Sequence, residues 1–317
     1  MNRGRWGLVV LLMVSTCACA QTNPTTGKRK PRGTQPKLEL AVTFDDLPVS
    51  GPLPPGQSRV GIAEQIVRTL KAAHVPPTYG FVNAVHVEYD PGTVNVLGTW
   101  RASGNLLGNH TWSHVSLDKV SLPQFEGDLV DDEPILQLLM ARQDWHWLRY
   151  PYLAEGDTMA KRMGIRVFLA QHGYKIAGVT MNFDDYDWNG PYARCVEKRD
   201  FKSVNWLEAS YLRAADENIG YYRSMSKQLY GRDIRYVLLL HIGAFDAHML
   251  PRLLRLYRER GFSFIPLEQA EQDPFYQYDV NPKLLPGPDL LEQAMRDKHL
   301  PLPQKADDAK QLQAICQ

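Results

Sequence analysis

Two aspartates stand side by side in FDDLP, Asp45 and Asp46, directly behind an apolar run. Two histidines stand four apart in HTWSH, His110 and His114. Imidazoles at that spacing share one face of a helical turn, which suits a divalent metal, although nine histidines in 317 residues make a +4 pair common by chance. With one carboxylate the pair becomes an Asp-His-His set, three protein ligands with room for water. That is the composition of a catalytic rather than a structural metal site. Arg149 in LRYPY, Asp184, Asp185 and Asp187 in NFDDYDWNG, and His241 behind VLLL complete the list. Each part has a plainer reading: a turn cap for the aspartates, a surface ion pair for Arg149, a hydrogen-bonded core residue for His241. Together they complement one another as a metal set, a spare carboxylate, an arginine to orient it and a further histidine.

The elements that must position these groups alternate along the chain. Strand character is expected at 38–44 (LELAVTF), 78–84, 105–109, 146–150, 174–181, 234–241 and 262–266. Helical spacing is expected over 59–73, 121–140, 157–172, 205–229 and 246–259. The run IRYVLLLH is almost entirely apolar, as in a strand covered on both faces. Seven strands separated by helix-length segments predict an α/β fold with a parallel sheet, open or closed into a barrel. In such barrels the C-terminal strand ends meet at one mouth, and five of the seven strands here end in ionisable residues.

The rest of the composition narrows the function by exclusion. With 36 Lys+Arg against 35 Asp+Glu, the net charge of +1 offers no electrostatic case for nucleic acid. Arg3 and Arg5, the apolar run Trp6–Val14 and the small-residue site Ala18-Cys19-Ala20 predict a signal peptide over 1–20 and an exported protein, periplasmic or secreted. Lipoprotein anchoring through Cys17 or Cys19 fits less well, and no other run is long enough for a transmembrane anchor. Residues 21–37 read as a flexible linker, 38–270 as the catalytic domain and 271–317 as a C-terminal extension at the surface with one helix near 289–297. Cys195 and Cys316 survive cleavage; export permits a disulfide, and sequence leaves pairing and free thiols equally open.

In order, TFDD, H-T-x-x-H, R-Y-P-Y, NFDDYDWNG and L-L-H resemble the polysaccharide deacetylase (NodB-homology) family of carbohydrate esterases, carbohydrate esterase family 4, over roughly 38–270. The resemblance implies a distorted (β/α)7 barrel and metal-dependent hydrolysis of an acetyl group, usually the N-acetyl of a sugar. It implies Asp45 as general base, Asp46, His110 and His114 as ligands of a divalent metal, zinc first, and Arg149 as the group orienting Asp45. His241 would be the general acid, and a backbone N–H near Tyr150 would help hold the oxyanion. The partner implied is an acetylated carbohydrate. Leu47 departs from the glycine that usually follows the paired aspartates. The acidic motif reads in two registers, and strand length favours Asp185 over Asp187 as the support of His241. Trp112, Tyr152, Tyr186 and Trp188 lie near the motifs, for sugar stacking or for core packing. Two other functions stay open: an O-acetyl esterase of the xylan type, and a catalytically silent carbohydrate-binding barrel.

Overall fold

The computed structural model describes residues 37–280, 290–305 and 309–317, so the expected signal peptide and all but the last residue of the linker lie outside the described residues. Seven strands, β1 (Leu38–Leu47), β2 (Tyr79–Val82), β3 (Leu106–Asn109), β4 (Trp147–Leu148), β5 (Lys175–Ile176), β6 (Arg235–His241) and β7 (Phe262–Phe264), form one sheet. Every pairing is parallel, in the order β5-β4-β3-β2-β1-β6. Strand β6 runs along one edge of β1 from Glu39 to Asp45. On the other edge β2 takes the far half, from Thr43 to Leu47, and β7 the near half, from Leu38 to Leu40. Leu40, Ala41 and Phe44 have no exposed surface. A central strand covered on both faces must be apolar throughout rather than alternating, which is the pattern of LELAVTF.

The seam of the sheet departs from expectation. The run 174–181 predicts one strand, but only Lys175–Ile176 pairs with β4 as a strand. Beyond Ala177, whose N–H still bonds the Leu148 carbonyl, the chain crosses to β6, where the Met181 N–H donates to Val237 and the Met181 carbonyl accepts from Leu239. One segment thus serves both sides and curls the sheet toward a barrel. Gly178 permits the crossing: a Cβ there would come within 2.6 Å of Leu290 Cδ1.

The expected helices are present as Arg59–Ala72, Leu122–Met140, Met159–Gln171, Phe201–Tyr230 and Ala244–Glu259. Ser58, Ser121, Thr158 and Asp200 cap the first four through side-chain oxygens, satisfying backbone N–H groups that have no partner within the helix. Two nine-residue helices escaped the sequence reading, Val94–Ala102 and Asn189–Glu197, as did the short Val85–Tyr89, Leu267–Ala270 and Ala309–Ala314. The first, VNVLGTWRA, is poor in helix formers and exists because Val96, Leu97 and Trp100 are buried in the core.

The helix expected near 289–297 is present, but it is buried rather than at the surface. Helix Leu290–Asp297 packs Leu291, Ala294 and Met295 with no exposed surface. Burying side chains of the size of Leu291 and Met295 contributes about 1.5–3 kcal/mol each. Cys195 and Cys316 form a disulfide, Cα–Cα 5.3 Å, which ties the last residues to helix Asn189–Glu197. No helix among the described residues is long and apolar enough to cross a membrane.

Candidate metal centre and catalytic cleft

Strand β1 does not stop at Phe44 but continues through both aspartates to Leu47. Asp45 stays in register, opposite His241 on β6. Asp46 is left-handed, φ 63°, and the register with β2 shifts between Phe44 and Leu47. Such a conformation is costly for a side-chain-bearing residue and is held only by its surroundings. It cancels the alternation of the strand, so two consecutive carboxylates line one cavity of about 480 Å³. Leu47 then points into the core with no exposed surface and fills the space that a Cβ on Gly80 would need, 2.6 Å away.

The histidine pair uses a different geometry from the helical turn its spacing predicts. Residues 110–114 are an irregular turn, with Thr111 and His114 both left-handed. The turn is pinned from outside. Asn83 donates to the carbonyls of His110 and Thr111 at 2.6 and 2.8 Å, while Asp128 accepts from the Ser113 N–H and hydroxyl. The Asn83 N–H also bonds the Leu47 carbonyl, so one residue joins the aspartate loop to the histidine loop. Neither Asn83 nor Asp128 was singled out from sequence. Asn83 carried a usable signal, a polar residue ending the apolar run of β2.

Asp46 Oδ1 stands 3.6 Å from His110 Nε2 and 3.4 Å from His114 Nε2, too far for good hydrogen bonds, and it is buried without a partner. Donor atoms about 2.0–2.1 Å from a common tetrahedral centre stand roughly 3.4 Å apart, so this set fits a small divalent ion such as zinc. His110 Nδ1 lies 2.7 Å from the Arg149 carbonyl. Donation there places the proton on Nδ1 and leaves the Nε2 lone pair aimed at Asp46. Burial alone would raise the Asp46 carboxyl, but the His110 contact and the imidazoles of His241, His110 and His114 hold it below the usual carboxylate range. Burial, and then His110, push His114 down to about 4, which keeps its ring neutral and able to ligate.

Asp45 faces Arg149, whose Nη1 donates to its two oxygens at 3.0 and 3.3 Å. The same guanidinium gives Nε to the Ala177 carbonyl and Nη2 to the Thr43 hydroxyl, and it covers the Phe81 ring at 4.6 Å. The contacts come from β1, from β2 and from the segment after β5, so Arg149 has one orientation.

His241 faces Asp185. The carboxylate accepts the His241 backbone N–H at 2.7 Å and stands 2.9 Å from Nδ1. Burial opposes the imidazolium, but the charge and hydrogen bond of Asp185 outweigh it and raise His241 to about 10. Of the two registers for the acidic motif, the structure brings Asp185 to His241; Asp187 lines a separate cavity beside Glu217. Among the aromatics, Tyr152 and Tyr186 are exposed at the cleft, against His114 and His241 respectively. Trp188 is buried and donates its indole N–H to Ser210, while Trp112 packs against the core.

Residues 32–168 match the polysaccharide deacetylase family model. That match covers a little under half of the chain, and it is to this family that the chain is similar. It is 27% identical over 160 residues to a peptidoglycan-N-acetylglucosamine deacetylase of Bacillus cereus, covering 50% of each chain. It is 25% identical over 122 residues to a chitin deacetylase of Arthroderma benhamiae, covering 38% of this chain and 31% of that one. The matched stretches thus span half or less of these curated relatives. The likeness in fold extends further. A polysaccharide deacetylase from Bacillus cereus superposes with TM-score 0.50 at 18% identity, over 73% of this chain and 91% of that one. A wild-type family 4 carbohydrate esterase pseudoenzyme from Bacillus anthracis gives TM-score 0.51 at 12% identity, over 75% and 66%. One of these neighbours is described as a pseudoenzyme, so on this fold the activity has to be argued from the site.

Proposed function

We propose that this protein is a polysaccharide deacetylase, an exported, metal-dependent carbohydrate N-deacetylase whose catalytic domain spans 38–270. One observation carries the reading: the Asp46, His110 and His114 donors stand beside an Asp45–Arg149 pair and a His241–Asp185 pair in a single cleft. A silent binding barrel would need neither of the two pairs.

Asp46, His110 and His114 would hold the ion. When bound, the ion supplies Lewis acidity at the acetyl carbonyl, an otherwise poor electrophile. Asp45, aimed by Arg149, takes the proton of the attacking water. His241 is protonated and gives its proton to the leaving amine, which is too basic to depart as an anion. Asp185 fixes the tautomer by accepting Nδ1–H, so Nε2–H is the proton offered. Tyr152 and Tyr186 offer apolar ring surface to a sugar at the mouth. The relatives matched on peptidoglycan and chitin support an N-acetylated sugar polymer as substrate, and the basic, apolar and small-residue order of the first 20 residues supports export.

Acetate release from N-acetylglucosamine oligomers and from acetylated xylan, each with and without chelator, tests the proposal. Chelator-sensitive release from the oligomers is the expected result. Release from xylan alone would make the protein an O-acetyl esterase. A metal-replete protein that releases no acetate from either would be a silent barrel.

A further inference from the structure

Behind the Asp185–His241 pair lies a second buried carboxyl that belongs to none of the family motifs. Asp246, in the first turn of helix Ala244–Glu259, is 1% exposed, and Asp185 has no exposed surface. Asp246 Oδ1 accepts from the Tyr211 hydroxyl and Oδ2 from the Asn189 amide, both at 2.9 Å. Helix Ala244–Glu259 packs against the turn Asp185–Trp188, which sets the Asp246 carboxyl beside that of Asp185. Bare backbone packs against the pair: a Cβ on Gly243 would fall 2.1 Å from the Asn189 amide nitrogen and 2.4 Å from Asp246 Oδ2.

Two neighbouring carboxyls, both buried, cannot readily both be ionised, so one proton lies between them. Asp185 meets two donors on His241, its backbone N–H and Nδ1–H, and is therefore the member that keeps the charge. The proton belongs to Asp246. Burial first, and then the charge of Asp185, raise Asp246 well above the carboxylate range, consistent with that assignment. The neighbouring titratable hydroxyls, Tyr211 and Tyr257, are also fully buried and pushed up, so they stay neutral and add no competing charge.

We propose that Asp246 is a positioning residue: its neutral carboxyl, clamped by Tyr211 and Asn189, donates a hydrogen bond to Asp185 and so holds the carboxylate against His241. Asp246 does not touch the cleft. It acts only through Asp185, on the residue read above as the general acid, and the inference rests on that reading for its catalytic consequence.

Three proteins test this: wild type, Asp246→Asn and Asp246→Leu. Infrared spectra at neutral pH should show a protonated-carboxyl stretch that disappears in Asp246→Asn, while a band from the buried Asp132, whose carboxyl is also raised, remains as an internal reference. In acetate release, Asp246→Asn keeps an N–H donor toward Asp185 and should retain turnover within a few-fold. Asp246→Leu should lose about 10–100-fold in kcat with KM unchanged, the range for removing a group that orients a functional residue. Identical spectra for wild type and Asp246→Asn would overturn the assignment of the proton. Equal turnover in wild type and Asp246→Leu, or equal loss in both variants, would overturn the positioning role. If wild type releases no acetate, the proposed function fails while the infrared difference still decides where the proton lies.

Discussion

Arg149 and Asp45 come from strands that are not neighbours in the sheet, and they meet with no solvent between them. Strands β2 and β3 separate them in the order, so the guanidinium reaches across the barrel interior from one wall to the other. A buried pair of this kind is expensive to break from one side, about 3–5 kcal/mol, because the remaining charge has no water. The contact therefore braces the barrel as well as aiming the carboxylate.

Asp45→Asn should keep a full equivalent of metal and lose about 10²–10⁴-fold in turnover, the range for a missing general base. Metal analysis alongside acetate release reads both quantities. A metal-free Asp45→Asn protein would mean that the two adjacent aspartates have exchanged roles.

His110→Ala should bind no metal and release no acetate. Alanine removes the Nε2 that the Nδ1 contact with the Arg149 carbonyl orients toward Asp46. Elemental analysis after dialysis checks it; a full equivalent of metal would reject the ligand set.

Asp185→Asn and Asp187→Asn should behave differently. Asp185 raises His241 to about 10, so its removal lowers that value and moves the alkaline limb of kcat/KM to lower pH. Asp187→Asn should leave the profile in place. The stability of the metal-free protein follows the same sign. With His241 raised above its ordinary 6.5, the contribution of the pair is full below that pH and is lost as pH rises toward about 10. A pH series of denaturant unfolding on wild type and Asp185→Asn measures it, and identical slopes for the two would reject the assignment.

Cys316→Ser should lower stability by about 2–5 kcal/mol, the usual cost of losing a native disulfide. The bridge closes residues 121 apart, a long loop to release in the unfolded chain. Thermal unfolding of the variant, and of wild type with reductant, should give matching losses. An unchanged midpoint would show that buried Leu291 and Met295 hold the tail without it.

The motif residues were legible because chemistry constrains type and order. Paired aspartates, two histidines, an arginine and a strand-end histidine behind apolar runs point to a shared mouth once a parallel sheet is inferred. The same strand-length reasoning selected Asp185 over Asp187. What sequence could not supply was backbone state. The left-handed Asp46 and the irregular turn at 110–114 depend on Asn83, Leu47 and Asp128, contacts made by segments distant in the chain. The burial of helix Leu290–Asp297 and the Cys195–Cys316 pairing likewise required the fold, since composition marked that tail as polar. For the opening pair of aspartates, sequence determined which groups are present. Only the tertiary structure decided that both face one site, because a single left-handed residue, held by its neighbours, cancels the alternation a strand would impose.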